Sequence, residues 1–223
     1  MNNPKENNAF VATALRRRGV NVAIVEYGGL PNPEPAPLPT QCEQLLAAVE
    51  CIASRLESSD LTGDPSRIVV AGHSAGGHLA ALCALHPRTR GLLAGALPIS
   101  MISDLEPLRR HSYFNLSLAT AGRPLISPED VPAWSPLALI PAAQPSGHSP
   151  PPPPTPRIIA AVGELELPEL RNQARDFHAA CAAQGLAAAH LVVAGTNHFD
   201  VLDGLAKGGD EPLFAAACEL LRV

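Results

Sequence analysis

Three kinds of side chain in this sequence could together open an acyl bond: a serine, a histidine and a carboxylate. The serine is Ser74, set in Gly72-His73-Ser74-Ala75-Gly76. Its G-x-S-x-G spacing suits a sharp turn from a strand into a helix. On such a turn the nucleophile carries strained backbone angles, and flanking glycines spare it side-chain clashes. The backbone N–H of Ala75, at the start of the following helix, would face a developing oxyanion. A serine hydroxyl alone is a weak nucleophile; it needs a base, and the base needs an acid to orient it.

The chain has eight histidines, and His198 is the candidate base. It lies in Gly195-Thr196-Asn197-His198-Phe199-Asp200, directly after the last apolar run that reads as a strand. His73 sits inside the turn and His78 in its helix, which suits packing or a supporting role; His86, His111, His148, His178 and His190 have no comparable position. Three glutamates, Glu164, Glu166 and Glu169, follow the preceding strand in Gly163-Glu164-Leu165-Glu166-Leu167-Pro168-Glu169-Leu170. Glu164 borders the strand, Glu169 falls in a first helical turn where a carboxylate is favourable for dipole reasons alone, and Glu166 stands far enough out to swing toward His198. Spacing leaves the choice open. No His-x3-His pair and no C-x-x-C is present, so neither a metal nor an organic cofactor is implied.

Positioning these groups is the work of alternating elements. Arg67 to Ala71 is a short apolar, β-branched run suited to a buried parallel strand. Ala75 to Leu85, rich in Ala and Leu, reads as a buried helix. Ahead of them, Asn7 to Arg18 predicts a helix ending at Gly19, Val20 to Tyr27 a strand, and Thr40 to Leu56 an amphipathic helix. Gly28-Gly29 and five prolines between Pro31 and Pro39 predict an irregular loop. After the turn come strands at Leu92 to Ile99, Ile158 to Val162 and Ala188 to Val193, with helices at Pro168 to Gln184 and Pro212 to Leu221. Residues 104–156 lack a sustained period and predict a cap over the sheet's C-terminal edge, with Pro150 to Pro154 a polyproline II spacer. This alternation predicts one α/β domain over 1–223, with about five mostly parallel strands joined by right-handed crossovers.

Composition narrows the partners. At 46% hydrophobic and 17% charged the chain is globular. Its net charge of −5, with no basic cluster larger than Arg16-Arg17-Arg18 near a helix end, argues against nucleic acid. The longest uncharged apolar stretch, Gly91 to Ser103, is too short to span a bilayer. Met1 to Asn8 is polar and reads as no signal peptide, and Cys42, Cys51, Cys83, Cys181 and Cys218 scatter over predicted helices. Reduced, packing cysteines in a cytoplasm are the expectation.

Gly-His-Ser-Ala-Gly-Gly-His-Leu, the Ser103 to Leu108 stretch, the Gly163 to Leu170 loop and Asn197-His198-Phe199-Asp200 together resemble the kynurenine formamidase (arylformamidase)-like and carboxylesterase-like branch of the α/β-hydrolases. The resemblance covers most of the chain and is weakest from Arg109 to Pro156. It implies a three-layer α/β-hydrolase sandwich, with Ser74, Glu166 and His198 as catalytic residues and Ala75 as an oxyanion donor. The family usually has Asp where Glu166 stands. The implied substrate is a small acyl compound, an N-formyl aryl amide or a small ester. Family members also carry further strands upstream and a His-Gly-Gly motif that supplies a second oxyanion donor. Asn8-Ala9-Phe10-Val11 looks like the helix after that motif, so the resemblance implies a chain shortened ahead of it. A missing donor would cost about 2.7–4 kcal/mol of transition-state stabilisation. The reading therefore carries three versions: formamidase-like hydrolase, general carboxylesterase, and catalytically impaired remnant. Missing strands would also leave the sheet open along Val20 to Tyr27, a hazard for association that makes a homodimer a candidate assembly.

Overall fold

The computed structural model describes residues 9–28, 36–111, 125–140 and 155–223. Met1 to Asn8, much of the Pro31 to Pro39 loop and the Pro150 to Pro154 run lie outside the described residues.

Four strands form one parallel sheet in the order of the chain: β1 (Val69–His73), β2 (Gly95–Ile99), β3 (Arg157–Gly163) and β4 (Ala188–Val193). Val69 pairs with Gly95, Gly95 with Arg157, and Ile158 with Ala188, so all four C-terminal ends open on the same edge. Between them run helix α3 (Ala75–Leu85), the short helices α4 (Glu106–Arg110), α5 (Asp130–Trp134) and α6 (Pro136–Leu139), and helix α7 (Pro168–Ala183). Helices α1 (Ala12–Arg17) and α2 (Leu38–Glu57) precede the sheet; α8 (Asp203–Lys207) and α9 (Pro212–Leu221) close the chain.

Alternation along the strands splits the core into two faces. Ala96, Ile158 and Ala160 meet Ala81, Leu85 and Phe177 of helices α3 and α7. Leu97, Ile99, Ile159 and Ala161 meet Leu205, Leu213 and Ala217 of helices α8 and α9, with Leu15 of α1 packed alongside. Helix α2 lies over α3, burying Cys42, Leu45, Leu46 and Val49 at helical spacing. The result is three layers: helix, sheet, helix. Burying nearly every residue of α3 is what its run of Ala and Leu allows.

Val20 to Tyr27, expected as a strand, is not one. Its residues carry no ladder to any described strand, and at its start the Val20 N–H donates to the Leu15 carbonyl of the preceding helix. Val25 and Tyr27 instead pack sideways on the cluster shared by α2 and α3. An apolar, β-branched run supplies the faces of a strand, but the state itself requires a partner. In the 104–156 segment, Leu105 and Ile126 are buried in that same cluster, with Val131, Trp134 and Leu139 packed against it. Gln173 of α7 ties the segment down: its Oε1 accepts from the Ser103 and Asp104 amides at 2.6 and 2.8 Å.

Candidate active site

Ser74 stands between β1 and α3 with φ 56° and ψ −115°, a conformation that side-chain-bearing residues avoid. Packing holds it there. A Cβ on Gly72 would lie 2.2 Å from the Gly76 carbonyl oxygen, and one on Gly77 2.6 Å from that of Ile99. Gly76 differs: a Cβ there would meet nothing within 4 Å. The close approaches thus fall at Gly72 and Gly77, while Gly76 matters through its carbonyl. Ala75 is the first residue of α3, where an N–H has no intrahelical acceptor.

Beyond its strand each site loop hangs on the next strand by one more backbone bond. Ser74 N–H reaches the Ile99 carbonyl at 2.9 Å, Ser100 N–H that of Ala161 at 2.8 Å, and Glu164 N–H that of Val193 at 3.0 Å. The sheet register therefore sets the relative heights of the three loops.

The three glutamates separate by their contacts. Glu166, buried, takes Nδ1 of His198 on Oε2 at 2.9 Å. Its other oxygen accepts a short hydrogen bond from the Ser100 hydroxyl. Glu164 accepts the Gly195 amide at 2.8 Å and so anchors the base of the histidine loop. Glu169 occupies the first turn of α7. Asn197 and Asp200 close the loop around His198: Asp200 accepts the Asn197 amide at 2.6 Å, and Asn197 Oδ1 accepts the Phe199 amide at 2.8 Å.

Ser100 was not legible in the sequence. It is a fully buried residue at the end of β2 with φ 48°, and its hydroxyl is the second ligand of the Glu166 carboxylate. A serine after a strand carries no signal of this; both the strain and the contact are tertiary. His73 is also closer to the chemistry than its place in the turn suggested. Its ring centroid lies 4.5 Å from that of His198, and burial together with the nearby His198 pushes its pKa down to about 4, so it stays neutral at neutral pH. His78, buried in α3 with Nδ1 3.0 Å from the Ile102 carbonyl, is pushed down to about 4 by burial.

The structure brings Glu166 onto His198 but leaves the Ser74 hydroxyl without a hydrogen bond among the described residues. Ligand atoms of His73, Glu166 and His198 lie within 4.8 Å of one another, close enough to converge on a metal ion. Both oxygens of Glu166 are already engaged, by His198 and Ser100, which leaves that set short of a free carboxylate. Apolar side chains flank the site residues along the chain: Leu165 and Leu167 on either side of Glu166 are exposed, as is Phe199, which stands edge-on to His198 at 5.5 Å between centroids.

A family model described as the alpha/beta hydrolase fold matches residues 1–201. The chain belongs to that family. Among curated relatives, this α/β-hydrolase is 28% identical over 214 residues to kynurenine formamidase of Salmo salar, covering 92% of the chain and 64% of the relative. It is 27% identical over 206 residues to kynurenine formamidase of Danio rerio, covering 90% and 62%. The chain thus spans less than two thirds of the length of both. Carboxyl esterase 2 from the mycorrhizal fungus Tuber melanosporum shares the fold with a TM-score of 0.66 at 23% identity, covering 98% of this chain and 71% of that one. Among the described residues no helix is long and apolar enough to cross a membrane.

Proposed function

We propose that this α/β-hydrolase is a serine hydrolase that cleaves small N-formyl aryl amides of the formylkynurenine type through an acyl-enzyme. The observation that carries the reading is the Glu166–His198 bond of 2.9 Å on a loop pair beside the strained Ser74. The carboxylate fixes the His198 tautomer with Nδ1–H toward Glu166, leaving Nε2 as the base. Ser74 Oγ attacks the formyl carbon as Nε2 takes its proton, and the Ala75 N–H faces the oxyanion. Collapse breaks the C–N bond, the imidazolium gives its proton to the departing amine, and water then releases formate by the same exchange. A serine–histidine contact that closes only on substrate binding is common in unliganded sites. The relatives named kynurenine formamidase and the exposed Leu165, Leu167 and Phe199 both favour an aryl leaving group.

A general carboxylesterase is the second reading, favoured by the likeness in fold to an esterase. Turnover of N-formylkynurenine and p-nitrophenyl acetate by one preparation separates them: formamidase activity requires kcat/KM on the amide to match or exceed that on the ester. A fluorophosphonate probe should label the chain at Ser74 and leave Ser74→Ala unlabelled. Labelling that survives the substitution removes the serine mechanism altogether. The expected setting is cytoplasmic, with a small acyl compound as partner; a homodimer is the assembly to test by sedimentation.

A further inference from the structure

A cavity of about 250 Å³ lies apart from the candidate active site, between helix α7 and strands β3 and β4. Its lining falls into two halves. Arg171 and Asn172 come from one turn of α7 and Arg175 from the next, and His190 joins them from β4; Val162, Val192 and Pro168 form the rest. None of these is Ser74, His198, Glu166 or Ser100.

The polar half is open to a ligand. The side chains of Arg171 and Asn172 are exposed and have no hydrogen bond among the described residues, while Nε2 of His190 is buried without a partner behind them. Arg175 meets only the neighbouring Asp176, with side chains 60% and 58% exposed, a pair weak enough to be exchanged. His178 stacks on His190 at 6.0 Å between ring centroids, and burial first, then His178 and Arg175, push the His190 pKa down. Two guanidiniums with an amide between them, on one side of an open volume, suit an anion. The other half is apolar, and Val192 is 48% exposed, unusual for a strand residue of its kind. A cavity of about 150 Å³ already accepts a benzene ring. The volume here suits a ring with one charged group.

We propose that this groove binds a small organic carboxylate, its head between Arg171 and Arg175 and its flat apolar body on Val162 and Val192. The Arg171 and Arg175 guanidiniums offer forked N–H pairs to the two carboxylate oxygens, and the Asn172 amide adds a further donor beside them.

Calorimetric titration of benzoate into the 223-residue chain carrying Ser74→Ala, in low-salt buffer, tests this without interference from hydrolysis. Saturable binding is expected, weakened at least tenfold by the Arg171→Gln/Arg175→Gln pair and by Val192→Asp, with folding of each variant checked by circular dichroism. Inorganic phosphate, which lacks the apolar body, should bind at least tenfold more weakly than benzoate. An absence of saturable benzoate binding, an affinity unchanged in both variants, or phosphate binding as tightly as benzoate would each overturn the assignment. Ser74 labelling plays no part in these readings, so the groove and the hydrolase mechanism stand or fall separately.

Discussion

Ser100 condenses the residue-scale logic of the site. Its hydroxyl and the His198 ring share one buried carboxylate, so Glu166 is held from both sides. A buried hydrogen bond to a charged group is worth about 1.5–3 kcal/mol. Ser100→Ala removes that bond while keeping a side chain at φ 48°; Ser100→Gly removes the bond and relieves the angle, which costs an L residue about 1–2 kcal/mol. Both substitutions should slow hydrolysis of p-nitrophenyl acetate alike, while thermal melts should show Gly more stable than Ala. Equal melting points would mean the left-handed angle stores no strain. The glutamates allow a sharper comparison. Glu166→Gln presents His198 with an amide, favours the wrong tautomer, and on that ground should lower kcat by about 10³–10⁴. Glu169→Gln, at the helix start, should leave kcat within about twofold. A reversed order would move the acid to another residue. None of this ranking was legible from spacing, because all three glutamates fall within reach of a loop whose path is set by the Val193 and Gly195 contacts.

At the scale of elements, the turn around Ser74 separates glycines that are required from one that is not. Gly72→Ala and Gly77→Ala drive a methyl into backbone that cannot yield, and overpacking of this kind costs about 1–3 kcal/mol or more. Gly76→Ala meets open space within helix α3 and should be neutral or slightly stabilising, since Ala is the better helix former. Chemical denaturation of the three variants checks the order. Helix α3 and strand β1 also carry a buried histidine, His78, and a half-buried one, His73. Unfolded, each takes up a proton near 6.5; folded, His73 and His78 resist until about 4. Between those values the unfolded chain binds more protons, so stability falls as pH drops from about 6.5 to about 4 and levels off below. Each group contributes up to about 3 kcal/mol to that loss. Urea midpoints that stay flat between pH 7 and 4.5 would contradict the burial of both rings. Most elements were legible: β4, α3 and α9 have the limits their apolar patterns predicted, because burial on a parallel sheet leaves a plain compositional mark. Val20 to Tyr27 shows where that mark misleads, since hydrophobic alternation says which side faces the core and nothing about a neighbour to pair with.

At the scale of the whole molecule, the described sheet ends on two edges, β1 and β4. No described strand pairs with the outer side of β1, and Ala71 in its middle is exposed. An uncovered edge is a template for pairing with another chain. The average mass in sedimentation should therefore rise with concentration, and Ala71→Lys, which places a charge on that edge, should reduce the rise. A strictly monomeric parent would show the edge to be covered in solution. One edge thus belongs to the strand that carries Ser74, a step away from the expected Val20 to Tyr27. The backbone bonds that fasten Ser74, Ser100 and Glu164 to the neighbouring strands have a different consequence. Transferred to heavy water, these three amides should keep their protium about as long as the middle of the sheet does, although each sits past a strand end. The Phe199 amide, held only by the Asn197 side chain, should be lost early. The site then has two clocks: a slow one shared by the serine and carboxylate loops, and a fast one for the loop that carries the histidine.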